Sequence, residues 1–476
     1  MKKTVAIILF ALFASILLSC TSSSTPAPVP TPAPMPPPTS TPASPPDTTP
    51  PSAITGLVAN NAYDGRVNLW WDKSTTADFD HYNIYLNKAE MADITGMKAV
   101  QQIKDIATCR YQATGLEDGT KYYIAVTAVD KSGNEDVRAA SVSATPAPMP
   151  RGTVDPDFQV DVYQSELAWA GTTLFGDQHN LKKPRIIEVN MMGEIVWQYV
   201  LPQDLLQYTN PGLDAELLAN NNILFVLLRK GVYEIDRSGK IVWSYETQKI
   251  SHDADRLPNG NTIFVFGMND QKDDAQVTEV NPKGEIVWQW YAKDYFDKPP
   301  YNSIYDEGWA HTNAVTRLTN GNTLISPRNF NFVVEVDPQG SVVRTLGEGL
   351  LYYQHEPELL PNGNLLSGSH GNLARIAPEF AASITSYAAV EIDLKTDKIV
   401  WKFSWPPGLS QDARDANRLP NGNTLVQGPR IAEVTPEGKI VWALRLKEAI
   451  ETEIWSTKKD YQQRGFYKAD RISDQK

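Results

Sequence analysis

Arg256-Leu-Pro-Asn-Gly-Asn-Thr-Ile263 is a phrase to which the chain returns: Arg317-Leu-Thr-Asn-Gly-Asn-Thr-Leu324, Leu360-Pro-Asn-Gly-Asn-Leu-Leu366 and Arg418-Leu-Pro-Asn-Gly-Asn-Thr-Leu425. Weaker copies stand at Leu218-Ala-Asn-Asn-Asn222 and Ala168-Trp-Ala-Gly-Thr-Thr173. A second phrase follows each copy: a Glu (188, 234, 279, 335, 391, 433), then a turn, then a run like Gly284-Glu-Ile-Val-Trp288. Asn-Gly is a strong two-residue hairpin signal, because both positions tolerate positive φ. Each copy therefore reads as a four-stranded meander. The Asn-Gly turn joins strands A and B, Glu lies on strand C, and Ile-Val-Trp lies on strand D. One such sheet cannot bury both faces alone, so the copies must stack around an axis, and closure removes free edges. The expectation is an all-β chain whose residues 155–476 form a six-bladed propeller, with the tail from 447 packed on the rim.

Innermost strands of a propeller line its channel. The residue six places before the turn Pro, or its substitute, sits at one height in every blade: Tyr163, Leu213, His252, Asn313, His355 and Arg414. His311 lies two before Asn313 and shares its side of the strand. Strand B returns to the same end, bringing His179, Arg229, Arg328, His370 and Arg430. All histidines outside the small N-terminal domain thus map to one end of the propeller. For His252, His311 and His355 this points to function. For Arg229 and Arg430 rim salt bridges are expected, and His179 and His370 belong to the rim. Imidazoles beside Arg328 and Arg414 suit a compact oxyanion such as sulfate, phosphate or carboxylate. A metal held by three His is the other chemistry available, but nearby guanidiniums oppose a dication, and no metal is assigned. Asp253, Glu356 and Asp415 stand one residue off the column and are expected to orient His or to pair with Arg.

Residues 53–146 alternate as strands do, with Val67, Leu69 and Trp71 on one face and turn signals at Asp64-Gly65, Asp118-Gly119 and Ser132-Gly133-Asn134. Gly115-Leu-Glu-Asp-Gly-Thr-Lys-Tyr122 followed by Ile124, Val126 and Ala128 resembles a fibronectin type III β-sandwich. Trp71 would be its core Trp and Tyr122 its tyrosine corner. We read the domain as a spacer with possible glycan or protein contact. Residues 21–52 are almost all Pro, Thr, Ser and Ala and cannot bury enough apolar surface to fold, so they read as a disordered linker. Residues 1–20 carry Lys2 and Lys3, an apolar run and Leu17-Leu-Ser-Cys20, which resembles a bacterial lipoprotein signal. That implies lipidation at Cys20 and an exported protein anchored to a membrane through lipid alone, in the periplasm, at the outer membrane or at the cell surface. The remaining Cys109 then has no intramolecular partner. A formal net charge of −12 argues against nucleic acid as a partner.

The series Ser251-His252-Asp253, Trp309-Ala-His311-Thr-Asn313, Ser326-Pro-Arg328 and Gln354-His355 resembles the bacterial arylsulfate sulfotransferases. These are six-bladed propellers that move a sulfuryl group between phenols without a nucleotide donor or other cofactor. The resemblance implies that His355 is the nucleophile, sulfated in a ping-pong cycle. It also implies that His252, His311, Asn313 and Arg328 hold or polarise the sulfuryl group. Sulfuryl transfer has a loose transition state, so positioning and electrostatics dominate. His252 would protonate the leaving phenolate and deprotonate the acceptor. Aromatic substrates would rest on Trp309, Tyr352, Tyr353 or Phe330, with Arg414 adding charge. Two other classes fit the same residues: a non-catalytic surface lipoprotein binding anionic glycan or protein through this face, and a metal-dependent hydrolase or lactonase.

Overall fold

The structure is a computed structural model describing residues 46–180, 182–209, 213–369, 388–406, 414–447 and 466–473. The leader with Cys20, most of the linker, and His370 lie outside the described residues. The described chain is nearly all β. The first domain packs a three-stranded sheet (58–61, 67–70, 110–113) on a four-stranded one (79–87, 101–103, 122–130, 142–144). Trp71 is buried edge-on against Tyr82, with ring centroids 5.4 Å apart. The Glu117 N–H donates to the Tyr122 hydroxyl at 3.1 Å, which closes the expected tyrosine corner.

The remainder forms six antiparallel meanders, the six-bladed propeller. The innermost strands of blades 2 to 6 are Ala215–Leu217, Ala254–Arg256, Thr312–Arg317, His355–Leu359 and Asp415–Arg418. Blade 1 departs from expectation. Its innermost strand is Ala469–Ile472, which pairs with Thr172–Asp177, so the end of the described chain enters the propeller rather than the rim. Tyr163 leaves the channel column altogether. It ends Phe158–Tyr163, a fifth, outer strand on blade 6 that pairs Tyr163 with Trp442. Both ends of the propeller are thus locked at the seam between blades 6 and 1.

The repeat's letters have distinct jobs. In the hairpin, Leu257 N donates to Asn261 O at 2.8 Å and Gly260 N to Leu257 O at 2.9 Å. Only Gly260 takes positive φ, at 86°. The connection is therefore a type I turn closed by one left-handed residue, not the two-residue primed turn expected. Blade 2 has Asn221 at this place, at φ 67°, and Asn tolerates that conformation best after Gly.

The second Asn of the turn donates to the strand C Glu of its own blade, as Asn261 does to Glu279 at 2.6 Å. In most blades the other oxygen of that Glu takes an Arg from the next blade, while Glu335 takes Arg344 of its own. Arg256 reaches Glu234 at 2.9 Å, Arg317 reaches Glu279 at 2.7 Å and Arg418 reaches Glu391 at 2.6 Å. Each such guanidinium also lies over a strand D Trp of the blade before it, 4.6 Å for Arg256 on Trp243 and 5.5 Å for Arg317 on Trp288. Indole N–H groups complete the stitch, with Trp243 donating to Pro282 O at 3.0 Å and Trp442 to Met191 O at 2.9 Å across the seam. Arg471 closes the circle, 3.3 Å from Glu433 and 4.5 Å over Trp442.

The small domain docks on this seam instead of hanging free as a spacer. Asn60 exchanges two hydrogen bonds with Ala170, at 2.7 and 3.1 Å, and the Trp70 and Trp169 rings sit 5.5 Å apart.

Candidate active site

The channel column gathers where expected, one layer beyond the ends of the innermost strands. His252 precedes its strand, His355 opens its strand, Arg414 precedes the strand of blade 6, and His311 and Asn313 bracket the start of the blade 4 strand. All are buried, His311 and Asn313 almost completely. The backbone that delivers them is strained. His311, Tyr353 and Glu356 hold φ of 48°, 43° and 44°, conformations a side chain disfavours and which cluster at functional sites. The His311 segment is pinned by the buried Asp270 carboxylate, which accepts the N–H groups of Ala310 and His311 at 3.2 Å each. Gly308 permits this approach: at φ 140°, a Cβ there would stand 2.4 Å from Asp270 Oδ1 and 2.3 Å from Gly267 O. Burial pushes the Asp270 carboxyl up to about 6.

Hydrogen bonding fixes the tautomers. A backbone carbonyl only accepts, so His355 Nδ1 must donate to Tyr353 O at 2.9 Å, and His311 Nδ1 to Asp306 O at 3.1 Å. Neutral His355 and His311 then carry their lone pairs on Nε2. His252 Nε2 lies 3.3 Å from His311 Nε2 and must donate to it, which leaves His252 Nδ1 as an acceptor, buried and unpartnered. Burial, then Arg328 and Arg414, lower His252 to about 3. Burial, then Arg328, hold His311 well below the usual imidazole range. Both are neutral at neutral pH, and a neutral His252 begins as a proton acceptor, not as the acid expected for the leaving group.

Asp306, which no repeat position indicates, ties the cluster together. Its Oδ2 accepts the Tyr353 hydroxyl at 2.5 Å and Arg328 Nη2 at 3.2 Å. The Arg328 guanidinium lies 4.4 Å from the Tyr353 ring centre and 3.7 Å from Glu307. Arg328 is therefore a shared cation rather than part of an uncompensated positive well. Asn313 Nδ2 donates to Gln354 O at 2.9 Å, and its Oδ1 is buried without a partner. Tyr467 supplies blade 1's contribution. Its ring stands 6.2 Å from that of His355 and 6.4 Å from that of His252, with Arg414 5.7 Å above it. The signal for it was present: Lys468-Ala-Asp-Arg471 repeats Asp253-Ala-Asp-Arg256 and Asp415-Ala-Asn-Arg418, which places Tyr467 in the column with His252 and Arg414.

Two of the expected aromatic contacts go elsewhere, while His179 and Arg430 make rim contacts as expected. Trp309 packs on Phe330 at 5.4 Å inside the blade core, with its indole donating to Tyr301 O at 2.9 Å. Both are core residues, and of the expected aromatic contacts Tyr353, stacked 4.5 Å from Tyr352, remains beside the cluster. His179 is clamped by Asp177 at 2.5 Å and Asp157 at 2.9 Å, and Arg430 bridges to Asp161 at 2.9 Å. Among the described residues Asp253 and Glu356 neither orient His nor pair with Arg. With Asp214 they surround Lys468, at 2.7, 3.2 and 2.9 Å.

Among the described residues, the three imidazoles do not bring three ligand nitrogens within 4.8 Å of one another, so they do not form a three-His metal site. Imidazoles from blades 3, 4 and 5 thus gather with Arg328, Arg414 and the Asn313 amide at one end of the propeller. Residues 172–348 match the arylsulfotransferase (ASST) family model, and residues 50–145 match the fibronectin type III domain model. The first match supports sulfuryl transfer as the general chemistry. It contains His252, His311, Asn313 and Arg328 and ends before His355. No curated protein matches the chain. Among solved structures, a protein of unknown function from Bacteroides caccae is 19% identical over 59% of this chain and 95% of its own, with a TM-score of 0.40. Virginiamycin B lyase from Staphylococcus aureus is 12% identical over 77% and 99%, at 0.34. BamB from Moraxella catarrhalis is 11% identical over 71% and 86%, at 0.30. Likenesses this distant say nothing of activity.

Proposed function

We propose that the propeller transfers a sulfuryl group from an aryl sulfate to a phenol through a sulfated His355. The observation that carries this reading is the Nδ1 hydrogen bond to Tyr353 O, which leaves Nε2 as the nucleophilic lone pair. In the first half-reaction the Nε2–S bond forms as the aryl O–S bond breaks, and its electron pair leaves as phenolate. The imidazole becomes cationic with its proton still held at Nδ1 by the Tyr353 carbonyl. Positive charge on that ring makes it a good leaving group for the return step. The acceptor phenol then passes its proton through the open Nδ1 of His252 to solvent, where the departed phenolate takes one up, while the acceptor oxygen attacks sulfur and the S–N electron pair returns to His355. Arg328, Arg414 and Asn313 hold the peripheral oxygens, where charge resides in a loose transition state. The Tyr353 ring, with Tyr352 and the Arg328 guanidinium on its faces, offers an incoming phenol its edge.

Incubation with an aryl sulfate should leave one sulfuryl mass on the His355 peptide, absent in His355→Asn. Phenol release without that adduct would overturn the covalent route. The start of the chain fits delivery of this activity to a membrane surface by lipidation at Cys20, tested by acyl-group mass on that residue and its loss in Cys20→Ala.

A further inference from the structure

The two faces of one sheet in the small domain serve two different cores. In the strand Val67–Trp70, Val67 and Leu69 join the domain's own interior with Tyr82 and Ile124, while Asn68 and Trp70 alternate to the opposite face. That second face is not turned to solvent. Asn60 and Asn68 are buried, and Val58, Tyr63 and Trp70 belong to one apolar cluster with Trp169, Trp442 and Phe466 of the propeller. Tyr63 reaches this cluster through a costly turn. Tyr63, Asp64 and Gly65 hold φ of 62°, 54° and 73°, which the first two disfavour, and Tyr63 ends 1% exposed. The strain is offset where the ring is buried, in the seam between blades 6 and 1.

The docked face grips residues 165–170, and that segment carries the closure of the ring. Asn68 Nδ2 donates to Ser165 O at 2.5 Å, and Asn60 pairs with both backbone groups of Ala170. Between those grips, Trp169 N donates to Glu433 of blade 6 at 2.7 Å, and Trp169 O accepts Arg471 of the blade 1 innermost strand. Gly171 lets that strand come close, since a Cβ there would stand 2.1 Å from Ile472 O. The strand Ala469–Ile472 needs the help. In blades 2 to 6 a short turn ties the innermost strand to its neighbour, whereas here most of the propeller's sequence separates Ala469–Ile472 from Thr172–Asp177, so their pairing carries a larger closure entropy.

We propose that the small domain is the latch of the propeller: by clamping residues 165–170 it holds Arg471, and with it the C-terminal strand that brings Tyr467 beside His252 and His355. The inference does not rest on sulfuryl transfer and stands if the propeller moves another group or none.

The test is amide hydrogen exchange of the full chain, read by mass spectrometry, with Tyr63→Gly and Asn60→Ala/Trp70→Ala beside the wild type. None of these residues belongs to the small domain's own core, and Gly takes the left-handed turn without strain, so the domain stays folded. Amides of Ala469–Ile472 should exchange about tenfold faster or more in both variants, with Tyr122–Asp130 of the small domain and Thr312–Arg317 of blade 4 unchanged. Unchanged exchange at Ala469–Ile472 in either variant, or equal acceleration in Tyr122–Asp130 or Thr312–Arg317, would overturn the proposal.

Discussion

Tyr353 donates its hydroxyl to Asp306 Oδ2 at 2.5 Å, and through that bond one carboxylate positions the groups on both sides of the cluster. The same residue's backbone oxygen accepts His311 Nδ1–H, and its carboxylate holds Arg328. Asp306 touches no reacting atom in the proposed mechanism, so it is a positioning residue. Asp306→Ala should lower kcat by on the order of 10²-fold through misplacement, with KM little changed. Tyr353→Phe keeps the ring under Arg328 and the carbonyl on His355, and should cost about tenfold or less. Unchanged kcat in Asp306→Ala would remove it from the site.

Acid should weaken the fold through His252. Its folded value is about 3, whereas a free imidazole titrates near 6.5. Between those limits the unfolded chain takes up a proton that the folded protein refuses. The stabilising contribution of neutral His252 is therefore complete above pH 6.5 and is lost as pH falls toward 3. His311 acts in the same direction. His252→Gln should lose less melting temperature than the wild type between pH 7.5 and pH 4.5; equal losses would refute this assignment.

The stitch between blades makes a graded prediction. Arg317→Ala leaves Glu279 buried without its guanidinium and uncovers Trp288, and should cost about 2–3 kcal/mol. Arg317→Lys restores charge but neither the fork nor the stacked plane, and should recover only part of it. Urea unfolding of the three proteins measures this, and full recovery by Lys would show that charge alone mattered.

Lys468→Met should be more damaging still. It strips Asp214, Asp253 and Glu356 of their shared ammonium, a loss of about 3–5 kcal/mol for a buried ion pair broken on one side. The protein should show it as a fall in melting temperature, and an unchanged value would mean that those carboxylates are protonated.

What could be read in the amino-acid string was what repeats. The Asn-Gly turns, strand C Glu and strand D Trp announced six sheets because each satisfies the same local need in each blade. The column through His252, Asn313, His355 and Arg414 followed from counting back from those turns. Counting failed where the repeat is split between the two ends of the chain. Tyr163 occupied the expected slot by number, while Tyr467 occupies it in space, since the guanidinium that reaches Glu433 and lies over Trp442 is that of Arg471. Asp306 and Asp270 were invisible for another reason. They lie in insertions outside the blade frame, and their importance comes from backbone conformations at Gly308 and His311 that no spacing reports. Trp309 was misjudged because an aromatic next to a site residue reads the same whether it faces ligand or core.

The splice of blade 1 from two distant stretches has a bearing on biogenesis. Tyr467, Lys468 and Arg471 follow the other five sheets along the chain, yet Tyr467 stands beside His252 and His355 and Arg471 fastens the final sheet to the first. A nascent chain can finish five sheets and still lack the ring beside His252 and His355, so under the proposed function a nonsense codon anywhere before Phe466 should act as a null allele, however much folded protein accumulates.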